Sequence, residues 1–190
     1  MDVYLIRHTR PDVASGLCYG RSDVPLSGDF TAQAARLAPL LPGGARVVSA
    51  PATRCTALAE HLGAALATKP GIDSRLAELD FGLWEGVPWA DIPRVQTDVW
   101  ARDVWNNAPP GGETYAALHA RVEAAWESLL ATGPEVAVIV GSIGPLRSLM
   151  TIILELPVDS FLRFNVDHGG ISKLSDSTGG WRLDYSNRTA

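Results

Sequence analysis

A chain of 190 residues, 46% apolar and 19% charged, reads as one ordinary globular domain long enough to bury a core. Its formal net charge of −5 argues against a nucleic-acid binder. No apolar run approaches a membrane span, and the start of the chain lacks the basic region, apolar core and cleavage site of a signal peptide.

Residues 2–7 read as a buried strand, because Val3-Tyr4-Leu5-Ile6 is an apolar run that ends abruptly in Arg7-His8. A loop rich in Gly, Pro, Ser and Asp follows over 9–27. Residues 29–41 carry Phe30, Ala34, Leu37, Leu40 and Leu41 at roughly helical spacing, and Pro42-Gly43-Gly44 ends that helix. Arg46-Val47-Val48-Ser49 is a second short strand, and 52–66 is an alanine-rich helix. Residues 72–112 are mostly irregular, with a short helix near 94–105; they hold four of the six tryptophans and read as a Trp-rich lid or insert. The pattern predicts a helix over 113–131 and a strand over 135–141, whose unbroken apolar character marks a central position covered on both faces. A helix over 145–156 opens on Pro145, where the missing N–H costs nothing. Closing strands are expected at 160–165, 170–175 and 181–185, with a Ser-Asp-Ser-Thr-Gly-Gly turn between the last two. The alternation predicts a single α/β domain over 1–190, a three-layer α/β/α sandwich with a mostly parallel central sheet.

The chemistry gathers at three strand ends. The first runs into Arg7-His8, the second into Ser49-Ala50-Pro51-Ala52-Thr53-Arg54, and the third into Gly141-Ser142-Ile143-Gly144-Pro145-Leu146-Arg147. In open α/β sheets the ligand crevice lies outside the carboxyl ends of the strands. If these strands are neighbours and parallel, Arg7, His8, Arg54 and Ser142 converge. Guanidinium groups there can grip a phosphate with paired hydrogen bonds, and Arg54 would sit in a helix first turn, which also favours an anion. Lys69 and Lys173 are the sole lysines, so nearly all positive charge is arginine. That balance suits bidentate anion recognition or reflects a GC-rich coding bias. Taken singly, Arg54 and Arg147 read as solvated helix residues; taken as a set, the tips read as a phosphate pocket.

The chain resembles the histidine phosphatase (phosphoglycerate mutase-like) superfamily. Leu5-Ile6-Arg7-His8-Thr9 is similar to its Arg-His signature, and Ser49 to Ala57 to its Ser-x-Pro-x-x-Arg element, slightly shortened. Leu76-Ala77-Glu78-Leu79-Asp80-Phe81-Gly82-Leu83-Trp84-Glu85-Gly86 resembles its Leu-x-Glu-x-x-Phe-Gly-x-Trp-Glu-Gly element, and Pro110-Gly111-Gly112-Glu113-Thr114 its Gly-Gly-Glu-Ser helix start. Within the superfamily, Gly16 to Leu26 resembles the α-ribazole phosphatase branch, whose members remove a phosphate during cobalamin nucleotide-loop assembly.

The resemblance implies that His8 attacks phosphorus and is transiently phosphorylated, that Arg7 and Arg54 clamp the phosphate, and that Glu78 is the general acid. Glu85 is the competing carboxylate and reads as structural, while Glu113 reads as compensation of a helix dipole. Tyr19, Trp84, Trp89 and Trp100 read either as an aromatic wall for a flat base or as packing of a loop-rich subdomain. Arg21 reads either as a substrate contact or as ordinary loop chemistry.

One departure stands out. The family's second histidine falls on Ser142, and no asparagine follows the first histidine at the usual place, where Ala14 or Ser15 lies. Serine donates a hydrogen bond but no charge, and losing one preorganised transition-state donor costs about 2.7–4 kcal/mol. The expected result is a phosphatase that is slow or repaired by another group; His168 is either that group or a surface loop residue. Rival readings are a non-catalytic phosphate-ester binder and a phosphoglycerate mutase, against which chain length argues. The expected partner is a small-molecule phosphate ester, with no nucleic acid and no membrane. No cofactor is expected, and no His/Cys/carboxylate set has metal-ligand spacing. The oligomeric state stays open, a homodimer among the options. Two cysteines without scaffold spacing, Cys18 and Cys55, point to a reducing cytoplasm.

Overall fold

The computed structural model describes residues 1–189. Six strands form one sheet: β1 (Asp2–Arg7), β2 (Arg46–Ser49), β3 (Gly71–Ile72), β4 (Val136–Gly141), β5 (Ile171–Ser177) and β6 (Gly180–Arg188), in the order β3-β2-β4-β1-β5-β6. The first four run parallel, whereas β5 and β6 form an antiparallel hairpin on one side. The sheet is therefore mostly parallel and sits inside the expected α/β/α sandwich. β4 is central, with Ala137, Val138, Ile139 and Val140 all buried, as its continuous apolar sequence requires.

Five α-helices accompany the sheet: α1 (Phe30–Leu37), α2 (Thr53–Ala65), α3 (Arg94–Arg102), α4 (Tyr115–Leu130) and α5 (Ile143–Ile153); α3 buries no residue and lies with the Trp-rich segment through Trp100. Leu58 and Leu62 of α2, Leu118 and Val122 of α4, and Leu146 and Leu149 of α5 are fully buried in one core with the inner strand residues. Burying a Leu or Val side chain is worth about 1.5–3 kcal/mol, so these faces fix where the helices lie. α4 starts after Thr114, whose Oγ1 accepts from the Ala117 N–H at 3.1 Å.

Three expectations from sequence are corrected. α5 begins at Ile143, not Pro145, and Ser142 is its N-cap. Proline is harmless anywhere in a first turn because those N–H groups lack helical partners, so Pro145 does not mark the start. Residues 160–165 are not a strand: Val158–Arg163 forms a 3-10 helix after Pro157. Its Phe161 ring stacks on Tyr115, centroids 3.8 Å apart, and this packing overrides the short run's strand character. Finally, β5 and β6 extend through Ser175-Asp176-Ser177, which pair in register with Arg182, Trp181 and Gly180, so the turn shrinks to Thr178-Gly179.

Candidate active site

The three strand ends meet side by side. Arg7 is level with Gly141, Ser49 with Val140, and the β1 and β2 ends tie to β4 through His8 N–H to Gly141 O (3.0 Å) and Ala50 N–H to Val140 O (2.9 Å). Beyond these ends lies a cavity of about 270 Å³ lined by Arg7, His8, Arg54, Glu78, Ser142 and Gly144 at its polar end. Leu17, Phe81, Trp89, Trp100, Phe161 and Leu162 contribute its apolar wall.

His8 is 1% exposed, and its Nδ1 lies 2.8 Å from the Thr9 carbonyl. A carbonyl can only accept, so Nδ1 carries the proton and Nε2 keeps its lone pair. Burial, then the positive fields of Arg54 and Arg7, hold the His8 pKa well below its ordinary 6.5. The imidazole is therefore neutral near pH 7 and ready as a nucleophile.

Both arginines are pinned by backbone carbonyls. Arg7 donates from Nη1 to Val166 O at 2.6 Å. Arg54, 1% exposed, donates to Ser22 O at 2.8 Å and Gly20 O at 2.6 Å. Each retains a buried Nε–H without a protein partner. Buried donors of this kind are costly unless something binds them, and two beside one nucleophile suit an oxyanion. Glu78 is held by two backbone amides: Oε1 accepts from its own neighbour Leu79 at 2.7 Å, and Oε2 from Gly144 at 3.1 Å. A side chain at Gly144 would run into Glu78 Oε1, so only glycine lets α5 approach the carboxyl this closely.

Ser142 is 3% exposed and makes no cap bond; its Oγ is 3.8 Å from Cys55 Sγ. Its hydroxyl is thus free of helix duty. His168 lies against His8, ring centroids 5.2 Å apart, yet it lines a second cavity with Thr9 and Leu37 instead of the one described. Burial, with Arg7 and Arg10, pushes its pKa down to about 4, so it brings no cation to replace the one that a histidine at 142 would carry.

The remaining candidates separate cleanly. Tyr19, Trp89 and Trp100 line the cavity. Trp84 does not: it is 3% exposed, packs with Cys18 and Ile92, and donates from Nε1 to Gln96 Oε1 at 3.0 Å. Its expected place in a substrate wall is therefore corrected, since its indole is packed into a separate small core outside this cavity. Arg21 points away as well, its guanidinium 3.4 Å from Asp80 and 3.6 Å from Glu113. Glu113 answers Arg121 at 2.7 Å and lies before the N-cap, so an ion pair replaces the helix-dipole account. Glu85 is structural: it accepts from the amides of Arg21 (2.8 Å), Ser22 (2.6 Å) and Phe81 (3.1 Å) and from the Ser22 hydroxyl. Sequence reasoning missed Tyr115, Gly144 and Phe161 as cavity residues; the glycine two places beyond Ser142 was the available signal.

Among the described residues, no group of three His, Cys, Asp or Glu side chains could hold a metal ion, and no helix is long and apolar enough to cross a membrane. Residues 3–189 match the family model described as histidine phosphatase superfamily, branch 1. The bifunctional protein Rv2228c of Mycobacterium tuberculosis is 30% identical over 68% of the chain, which spans only 36% of that protein's length. The "Probable phosphoglycerate mutase GpmB" of Proteus mirabilis is 29% identical over 95% of the chain and 87% of its own. Among solved structures, the α-ribazole phosphatase of Shigella flexneri superposes with a TM-score of 0.90 at 26% identity, covering 99% of this chain and 96% of that one. A mycobacterial glucosyl-3-phosphoglycerate phosphatase does so at 0.86 and 26%, covering 100% and 99%.

Proposed function

The chain belongs to the histidine phosphatase superfamily, and from that we propose that it is a phosphomonoesterase working through a phosphohistidine on His8, with α-ribazole 5′-phosphate as its preferred ester. The observation that carries this is the Nδ1–Thr9 bond, which reserves Nε2 for attack beside two unpartnered arginine donors.

In the first half-reaction the Nε2 lone pair forms an N–P bond as the ester P–O bond breaks. The Glu78 carboxylic acid gives its proton to the departing oxygen. In the second, the Glu78 carboxylate takes a proton from water, the water oxygen bonds to phosphorus, and the P–N electron pair returns to Nε2. Arg7 and Arg54 hold the equatorial oxygens through both steps.

Two observations support the ribazole ester. The Gly16–Leu26 stretch resembles the α-ribazole phosphatase branch, and the wall of Phe81, Trp89, Trp100 and Phe161 suits a flat base. Glycerate has no apolar surface to offer that wall. The test is phosphate release across a panel of α-ribazole 5′-phosphate, 3-phosphoglycerate and glucosyl-3-phosphoglycerate. The highest kcat/KM is expected on the ribazole ester; phosphoryl return to glycerate would make the protein a mutase.

Ser142 favours a second reading, a binder that captures esters without turning them over. Under the first reading it leaves the site short of a positive donor. Ser142→His is then expected to raise kcat by up to about a hundredfold, measured by phosphate release. No gain removes the proposed deficit.

A further inference from the structure

We propose that the second cavity, beside Thr9, is a second oxyanion site that binds free inorganic phosphate through Thr9, Arg36 and His168. The site goes beyond the phosphatase reading and stands whichever ester the protein hydrolyses.

This cavity holds about 150 Å³ and is lined by Thr9, Gln33, Arg36 and His168 among others. None of its lining residues belongs to the catalytic cavity. Thr9 is 1% exposed, and its Oγ1 has no hydrogen-bond partner. His168 Nε2 is likewise buried and unpartnered. Polar atoms enclosed in this way call for a partner, because leaving them unpaired weakens the fold.

Charge says which partner fits. Arg36, in the last turn of α1, lines the cavity and forms no ion pair among the described residues. Burial, then Arg7 and Arg10, hold the His168 pKa down, so cations outweigh Asp167 around that ring. Asp167 spends one carboxylate oxygen on Asn187 Nδ2, at 2.7 Å. Gln33 is no rival ligand: its Nε2 donates to Ser27 and Asp29, and its Oε1 accepts from the Arg10 amide. A hydroxyl, a guanidinium and a neutral imidazole protonated on Nε2 are all donors, and an oxyanion answers all three. Size narrows the class further. Pockets for drug-sized ligands run to about 300–1,000 Å³, so this one suits a tetrahedral anion better than a nucleotide or sugar phosphate. The wall is held in place, since the Gly169 amide donates to Arg7 O and His8 O at 3.1 and 3.3 Å. Thr9 joins the two cavities, because its carbonyl accepts from His8 Nδ1 at 2.8 Å.

The test counts labelled phosphate bound per chain, with and without one equivalent of orthovanadate. Orthovanadate resembles the transferring phosphoryl group and fills the catalytic cavity first. At millimolar phosphate the wild type is expected to bind two anions and to keep one beside vanadate. Arg36→Glu should weaken that retained phosphate by about tenfold or more, with turnover and the phosphate-free melting temperature unchanged. Thr9→Val, which removes the hydroxyl and keeps the shape, should weaken it as well. The proposal is overturned if the wild type keeps no phosphate beside vanadate, the cavity then holding water only. It is equally overturned if both variants keep the anion as tightly as the wild type. If no ester releases phosphate, the phosphatase reading fails by itself, and the loss of a bound phosphate in Arg36→Glu still decides the second site.

Discussion

His8→Ala is expected to lower phosphate release by roughly a thousandfold or more while leaving phosphate binding largely in place. The nucleophile and the clamp are separate groups. Arg7 and Arg54 are held by the carbonyls of Val166, Ser22 and Gly20, none of which depends on the imidazole. Removing the ring therefore deletes the N–P bond-forming step and spares the cradle. The direct readout is covalent: an ester carrying labelled phosphate should leave acid-labile, alkali-stable label on the wild type and none on His8→Ala. Equal label or equal turnover in the two proteins would end the phosphohistidine mechanism.

Glu78→Gln should separate esters by their leaving groups. Alkyl esters need a proton on the departing oxygen, so their kcat/KM should fall by about 10²- to 10⁴-fold. Aryl esters such as p-nitrophenyl phosphate leave unaided, so their first half-reaction should survive. Water activation still needs Glu78, and the aryl ester should then give a burst of phenolate equal to enzyme followed by slow turnover. The geometry sharpens the effect: both carboxyl oxygens accept from amides, of Leu79 and Gly144. A glutamine must set its own NH₂ against one of those N–H groups, so the side chain loses its seat as well as its acid. Equal losses on alkyl and aryl esters would remove Glu78 from the role of proton donor.

Much of this was legible in the chain. Apolar runs that stop at a polar residue, at Ile6-Arg7 and Val140-Gly141-Ser142, mark strand tips, because a buried strand cannot carry an unpaired polar or charged group inward. Their adjacency was only a condition of the sequence reading, and the strand order and the backbone bond from His8 to Gly141 supply it. The irregular stretch 72–112 was less readable. Trp84, Trp89 and Trp100 look alike in sequence, and only packing decides that Trp84 faces Cys18 and Ile92 while the other two face the cavity. Arg21 and Glu113 were misjudged because packing sets their ion pairs: Arg21 meets Asp80 and Glu113 from far away in sequence, and Glu113 turns to Arg121 on the helix that it precedes. β3 escaped because Gly71–Ile72, two exposed residues, leaves no periodicity to detect.

The two clamp arginines also fasten the loops that surround them. Arg54 is fully enclosed, and its contacts to Gly20 and Ser22 hold the 19–23 segment against α2. Breaking such a buried, hydrogen-bonded cation costs folding stability as well as affinity. Position 142 carries no comparable burden, since its hydroxyl neither caps α5 nor contacts any charged group. Genetic drift should thus find the two sites unequal. Substitution at 142 changes the rate of the chemistry and leaves a folded protein behind, whereas substitution at 54 threatens the protein itself. A lineage relieved of selection for turnover would shed its catalytic refinements first and keep its anion cradle long afterwards.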